Sequence, residues 1–184
     1  MKTEHWAKAL ELAARIHVFL FINVYGLGKI NGQQFYRKGH LPPEIAQQSL
    51  GDVSSFDLAW TFFGHSTTYI LFIGMTQLLG AWLLLWNRTK MIGIAILIPV
   101  MLNIVVVDAV FEVPGAIVSA AIYLGLLLLV LWINRSQVRR ALAILTEAPA
   151  MTFPRESRWV AAGATAGLLV LMLFVEQFLL NLSR

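Results

Sequence analysis

What most constrains this chain is the recurrence of apolar stretches about as long as a bilayer is thick. Runs of roughly 20 mainly apolar residues return along the whole sequence, and coiled as helices they match a hydrocarbon core of about 30 Å. Only helices or closed barrels satisfy every backbone polar group in that medium. Of the 184 residues 58% are hydrophobic and 13% charged, with a mean hydropathy of +0.71. That is more apolar surface than a soluble globule of this size buries. The sequence predicts an all-α, polytopic membrane helical bundle forming a single membrane domain.

Five spans are expected, at about 9–28, 58–86, 91–111, 116–133 and 159–182. The first, interrupted by Arg15, His17 and Asn23, reads as a retained helix and not as a removed signal. The loop 31–57 contains "LPPEIAQQSLG", where Pro43 near the first helical position, Glu44 in the first turn and Gly51 as a C-terminal cap predict a short interfacial helix. Pro99 interrupts the backbone bonding of the third span and is expected to kink it. The fourth span is nearly pure Leu, Val and Ile after Tyr123, which predicts lipid contact. The basic loop 135–158 suits an interface rich in anionic lipid, or else a protein partner.

Positive charge orients the chain. With the N-terminus inside, ten of the 14 Lys and Arg residues fall on the cytoplasmic side, against Lys29, Arg37, Lys38 and Arg184 outside. Trp6, Trp60, Trp82, Trp86, Trp132 and Trp159 fall near expected span ends, where indole rings prefer the interface. The net charge of +4 forms no continuous basic face, so no nucleic-acid partner is expected. The chain has no cysteine, which removes disulfides and thiol chemistry from consideration.

"VYGLGKINGQQF" looks like a phosphate-binding loop, but such a loop follows a strand, and this one follows a membrane helix. Its Gly28 and Gly32 have the small-xxx-small spacing that lets helices approach closely, as do Gly163 and Gly167 in "GATAG". The latter pair is expected to seat the fifth helix on its own bundle or on another protomer.

"FINVYGLGKINGQQF", "FFGHSTTYILFIGMTQLLGAWLLLWNRTKMIGIAIL" and "PVMLNIVVVDAVFEVPGA" together resemble the DoxX-like family of small bacterial integral membrane proteins. The resemblance covers about 15–134, four spans of the five. It implies a four-helix antiparallel core, here with a fifth transmembrane helix added, in a bacterial inner membrane. Some relatives are associated with quinone-linked oxidation. Others in the wider superfamily serve disulfide relay and protein maturation, and the absence of cysteine excludes that thiol chemistry here.

Ionisable groups inside a membrane cost at least about 2.5 kcal/mol each on insertion scales, so each needs a partner, a wet cavity or an interface. Asp108 and Glu112, at i and i+4, are expected on one face near the outer end of the third span. Lys29 ends the first span at similar depth, and His65, Ser66 and Tyr69 open the second. One reading gathers these six into an outward-facing polar pocket, enclosed by the first three spans, for a small lipophilic or quinone-type ligand. The other lets Lys29 pair with Asp108 as a register-fixing bridge, with Glu112 exposed and His65 bonded to a backbone carbonyl.

Asn103 lies about 140° from Asp108 on an ideal helix and is expected, with Asn23 and Gln77, to join helices by hydrogen bonds. Arg15 is expected to reach the cytoplasmic interface. The remaining ionisable groups gather toward the outer half. His17 and His65 differ in depth by roughly 15 Å, too far for one haem iron, and no metal-ligand spacing occurs. The leading expectation is a ligand-binding membrane protein linked to respiratory or redox chemistry. An accessory subunit of a membrane complex, a homo-oligomer and a small-solute transporter stay open.

Overall fold

The computed structural model describes residues 2–147 and 157–182. The described residues are helical or irregular, with eight helices: α1 (Lys2–Ile30), α2 (Pro43–Ala46), α3 (Ser55–Gly64), α4 (Thr67–Leu85), α5 (Lys90–Val110), α6 (Pro114–Ile133), α7 (Arg135–Thr146) and α8 (Arg158–Leu182). Five segments are long and apolar enough to cross a bilayer: His5–Ile30, Thr67–Leu85, Lys90–Val110, Gly115–Ile133 and Arg158–Leu182. This is a membrane protein of apolar helices. The chain divides into two compact units, Met1–Val138 and Arg139–Arg184, where sequence reading expects one domain.

In the first unit α1, α4, α5 and α6 form a closed ring in which each helix packs on the next and α6 returns to α1. Neighbours run antiparallel, because the connections between α4, α5 and α6 are tight turns of a few residues. Ile22, Leu84, Ile94, Leu97, Met101, Leu127 and Val130 fill the centre and are essentially inaccessible. Large apolar side chains such as Leu20, Phe72, Ile92 and Val118 point outward, as lipid as solvent requires.

Glycines set the closest approaches, though not the pair expected. A Cβ on Gly93 would stand 2.7 Å from both the Gly80 carbonyl oxygen and the Leu84 nitrogen, so α4 and α5 meet backbone to backbone. Gly26 and Gly74 do the same for α1 and α4. Gly28, in contrast, has nothing within 4 Å of its Cβ position, and Gly32 lies outside the helix at φ +77°, in a turn under the Arg37 guanidinium. Small-xxx-small spacing describes one helix; close approach also needs a small residue opposite.

The expected second span, 58–86, is two helices. Ser66 takes an extended conformation and its Oγ accepts from the Tyr69 N–H at 3.3 Å, capping α4 afresh. Ser54 caps α3 in the same way, accepting from the Asp57 N–H at 3.1 Å. α2 is a single turn ending at Ala46, short of Gly51. The residues after it fold back so that the Tyr36 N–H donates to the Trp60 carbonyl and the Lys38 N–H to the Gly64 carbonyl, both at 3.3 Å. The segment around Phe35 thereby lies against α3.

The second unit holds most of α7 and all of α8. The basic stretch expected as a loop is helical over Arg135–Thr146, while 148–156 of that loop lie outside the described residues. Within its own unit no residue of α8 is buried, and nothing there comes within 4 Å of a Cβ on Gly163 or Gly167.

Candidate functional site

Two charged clusters occupy opposite ends of the four-helix ring. Eighteen residues, five ideal turns, separate Glu11 from Lys29 on α1 and Lys90 from Asp108 on α5. Each helix therefore presents an acid and a base on one face about 27 Å apart, near the two limits of a hydrocarbon core. The order of sign is opposite on the two helices, so both ends match when α1 and α5 run parallel across the ring.

At the Glu11 end the match is closed. Lys90 Nζ donates to Glu11 Oε1 at 2.6 Å and to Asn134 Oδ1 at 2.7 Å, joining α1, α5 and the end of α6. Arg15 does not reach out to the interface as expected. It is buried, donates to Glu11 Oε1 at 3.3 Å and Asn87 Oδ1 at 2.7 Å, and caps α4 by donating from Nε to the Leu84 carbonyl at 2.7 Å and from Nη2 to the Leu85 carbonyl. The last carbonyls of a helix lack intrahelical partners, and a guanidinium satisfies two together. Ionisable groups thus do not gather at one end only.

At the Lys29 end the match is open. Lys29 and Asp108 are both buried, at 5% and 6% exposure, and feel each other's charge. No Lys29 nitrogen comes within 4.0 Å of an Asp108 oxygen; among the described residues the ion pairs that close belong to Glu11. Asp108 Oδ2 and Gln77 Oε1 are buried without a hydrogen-bond partner. Lys29 Nζ lies 5.9 Å from the ring centres of Tyr25 and Phe35.

Between these groups is a cavity of about 340 Å³, bounded by α1, α4, α5 and α6, with Phe35, Trp60 and Phe63 over its end. Its walls are mainly apolar and aromatic, including Tyr25, Tyr69, Phe72 and Tyr123, with Lys29, Gln77, Asn103 and Asp108 among the polar groups. Pockets of this size and lining hold small organic molecules. Phe72, 67% exposed, and the exposed Asn103 belong both to the cavity wall and to the outer surface of α4 and α5.

Of the six candidate residues, Lys29, Tyr69 and Asp108 line this cavity, while His65, Ser66 and Glu112 do not. His65 is exposed in the break before α4, and Ser66 is the α4 cap. Glu112 does not share a helical face with Asp108. α5 ends at Val110, and Glu112 is left-handed at φ 55° while the Val113 N–H returns to the Asp108 carbonyl at 2.9 Å. This is a Schellman-type stop, forced one residue before Pro114.

Asn103 reaches the cavity because the lining of α5, from Pro99 to Asp108, wraps about half the helix. Gln77 also faces the cavity. Asn23 serves as expected of helix-joining groups, accepting from Trp82 Nε1 at 3.2 Å. α6, expected against lipid, supplies a wall through Ala116, Ser119, Ala120 and Tyr123, the last meeting the His17, Phe21 and Tyr25 rings. Sequence reading passed over Glu11 and Lys90, although their five-turn spacing to Lys29 and Asp108 was a usable signal. Beyond the membrane spans, Tyr36 donates from its hydroxyl to Asp57 Oδ1 at 3.0 Å. Burial, and then the Asp57 carboxylate, hold that hydroxyl above its ordinary pKa.

No family model matches the chain, and no solved structure matches it. The sequence is similar to the "Uncharacterized protein YwoB" of Bacillus subtilis (strain 168), with 37% identity over 140 residues, 75% of this chain and 84% of that protein. At that identity and coverage, the chain belongs to the same family as YwoB.

Proposed function

We propose that the first unit is a DoxX-like binding protein for a small lipophilic, quinone-type molecule, held in the cavity between α1, α4, α5 and α6. One observation carries this reading: Asp108 Oδ2 and Gln77 Oε1, buried without a partner, converge with the buried Lys29 on an apolar, aromatic-walled cavity. Leaving such groups unmade costs about 1–3 kcal/mol each, more when charged, and a bound polar head group removes that cost. The ring of a quinone fits the aromatic walls, and a carbonyl oxygen fits the Lys29 ammonium. The exposed flank at Phe72 and Asn103 gives a route in from lipid. A ligand drawn from the respiratory quinone pool links the protein to redox chemistry, which the ligand itself supplies; the chain's residues bind and orient it, and Asp108, ionised opposite the Lys29 ammonium, accepts at Oδ2.

The resemblance over four spans and the closed four-helix ring support the DoxX-like assignment. The charge count supports an N-terminus in the cytoplasm and a cavity toward the outer leaflet of a bacterial inner membrane. A reporter fused after Arg184 is expected to be active outside the cytoplasm. For the ligand, the purified protein is expected to yield a bound quinone on lipid extraction and mass spectrometry, and to gain thermal stability with a short-chain benzoquinone. Neither a bound quinone nor a stability shift would reject the reading.

A further inference from the structure

We infer that the cavity selects the reduced, hydroxyl-bearing form of its ligand over the oxidised form. The inference rests on the cavity being a ligand site, and it comes from the inventory of unpaired groups. A quinone offers only acceptors. Lys29, buried in the cavity wall against the Tyr25 and Phe35 rings, matches one of them with its three N–H donors. Asp108 does not match: an ionised carboxylate is acceptor-only, and Oδ2 is buried without a donor. A second carbonyl placed there would set like partial charges against each other in a low dielectric.

A hydroxyl answers both ends. Its O–H donates to Asp108 Oδ2, while an oxygen on the same molecule accepts from Lys29 Nζ. The molecule then stands between two opposite charges that the helices hold too far apart to touch. Gln77 adds either an acceptor or a donor, since its amide carries both and its Oε1 is also without a partner. The closed cluster at Glu11 shows that this bundle makes direct contacts between α1 and α5 where it has them.

The test uses the full-length protein in detergent micelles, with empty micelles subtracted, and calorimetric titration under argon with three probes. These are a decyl-substituted benzoquinone, its hydroquinone, and the di-O-methyl ether of that hydroquinone. The hydroquinone is expected to bind at least about tenfold more tightly than the other two, the effect of one hydrogen bond to a charged acceptor. Asp108→Asn is expected to cost the hydroquinone about tenfold and leave the ether unchanged, with Gln77→Leu as a second, uncharged test of the same loss. Equal binding of all three probes would overturn the preference while leaving the cavity as a quinone-type site. Binding of none would overturn the site itself. Loss of all three probes equally in a folded Asp108→Asn protein would also overturn the preference, because the carboxylate would then be shaping the cavity and not reading the hydroxyl.

Discussion

The two ends of the α1–α5 diagonal carry the same kinds of charge at the same helical spacing, and they are built in opposite ways. At the Glu11 end every charged group touches its counterpart, with amide and carbonyl partners filling the remaining valences. At the Lys29 end the counterparts are buried but held apart over a cavity. Removing ions from water is costly at both ends, so the closed end recovers the cost within the chain and the open end defers it to another molecule. The difference separates a group that fixes structure from one that waits on binding, where composition and burial alone would class them together.

That contrast can be broken first at the closed end. Glu11→Ala leaves Lys90 and Arg15 without their carboxylate and is expected to cost about 3–5 kcal/mol, measured by thermal or denaturant unfolding in detergent. A loss under about 1 kcal/mol would mean that the cluster is as slack as the other end. Gly93→Ala, beside the Leu84 backbone whose carbonyl Arg15 caps, is expected to cost about 1–3 kcal/mol by forcing α4 and α5 apart.

At the open end Asp108→Asn removes a charge with no contact partner, so unfolding stability is expected to change by less than about 1 kcal/mol, or to rise, while ligand affinity falls. A loss as large as that of Glu11→Ala would erase the distinction. Gly28→Ala, with open space around its Cβ, is expected to stabilise by about 0.5–1 kcal/mol through helix propensity. The smallest effect belongs to Tyr36→Phe. Because the Tyr36 pKa is raised on folding, its hydroxyl contributes fully below the ordinary tyrosine value of 10.0, and that contribution fades as pH rises through the elevated one. Melting curves of wild type and variant are expected to converge at high alkaline pH.

How much of this was legible beforehand follows from which forces act within one helix and which act between helices. Apolar length announced the spans. Other features depended on a partner that a single stretch does not display. Gly28 and Gly32 met the spacing rule, but Gly26 had Gly74 opposite it and Gly93 had Gly80, so those made the contacts. Arg15 looked able to escape along its stem, yet the free carbonyls at the end of α4 lay nearer than water. Glu112 fitted an i, i+4 count with Asp108 until Pro114 stopped the helix before it. Of the candidate site, Lys29, Tyr69 and Asp108 were readable as polar groups at one depth, whereas Gln77, Asn103 and the α6 wall emerged only once the ring had closed.

The glycine contacts on α4 have a mechanical consequence. Gly74 and Gly26 bring the α4 and α1 main chains close, and at Gly93 the Gly80 and Leu84 backbone leaves no room for a side chain. Three of the four staves are therefore locked along α4. α6 meets α1 through aromatic rings, Tyr123 stacking on Phe21 and lying tilted against Tyr25. A guest that enters at the Phe72 and Asn103 flank is therefore admitted by rotation of side chains and not by parting of main chains, so a crosslink between α1 and α4 would leave its exchange unchanged.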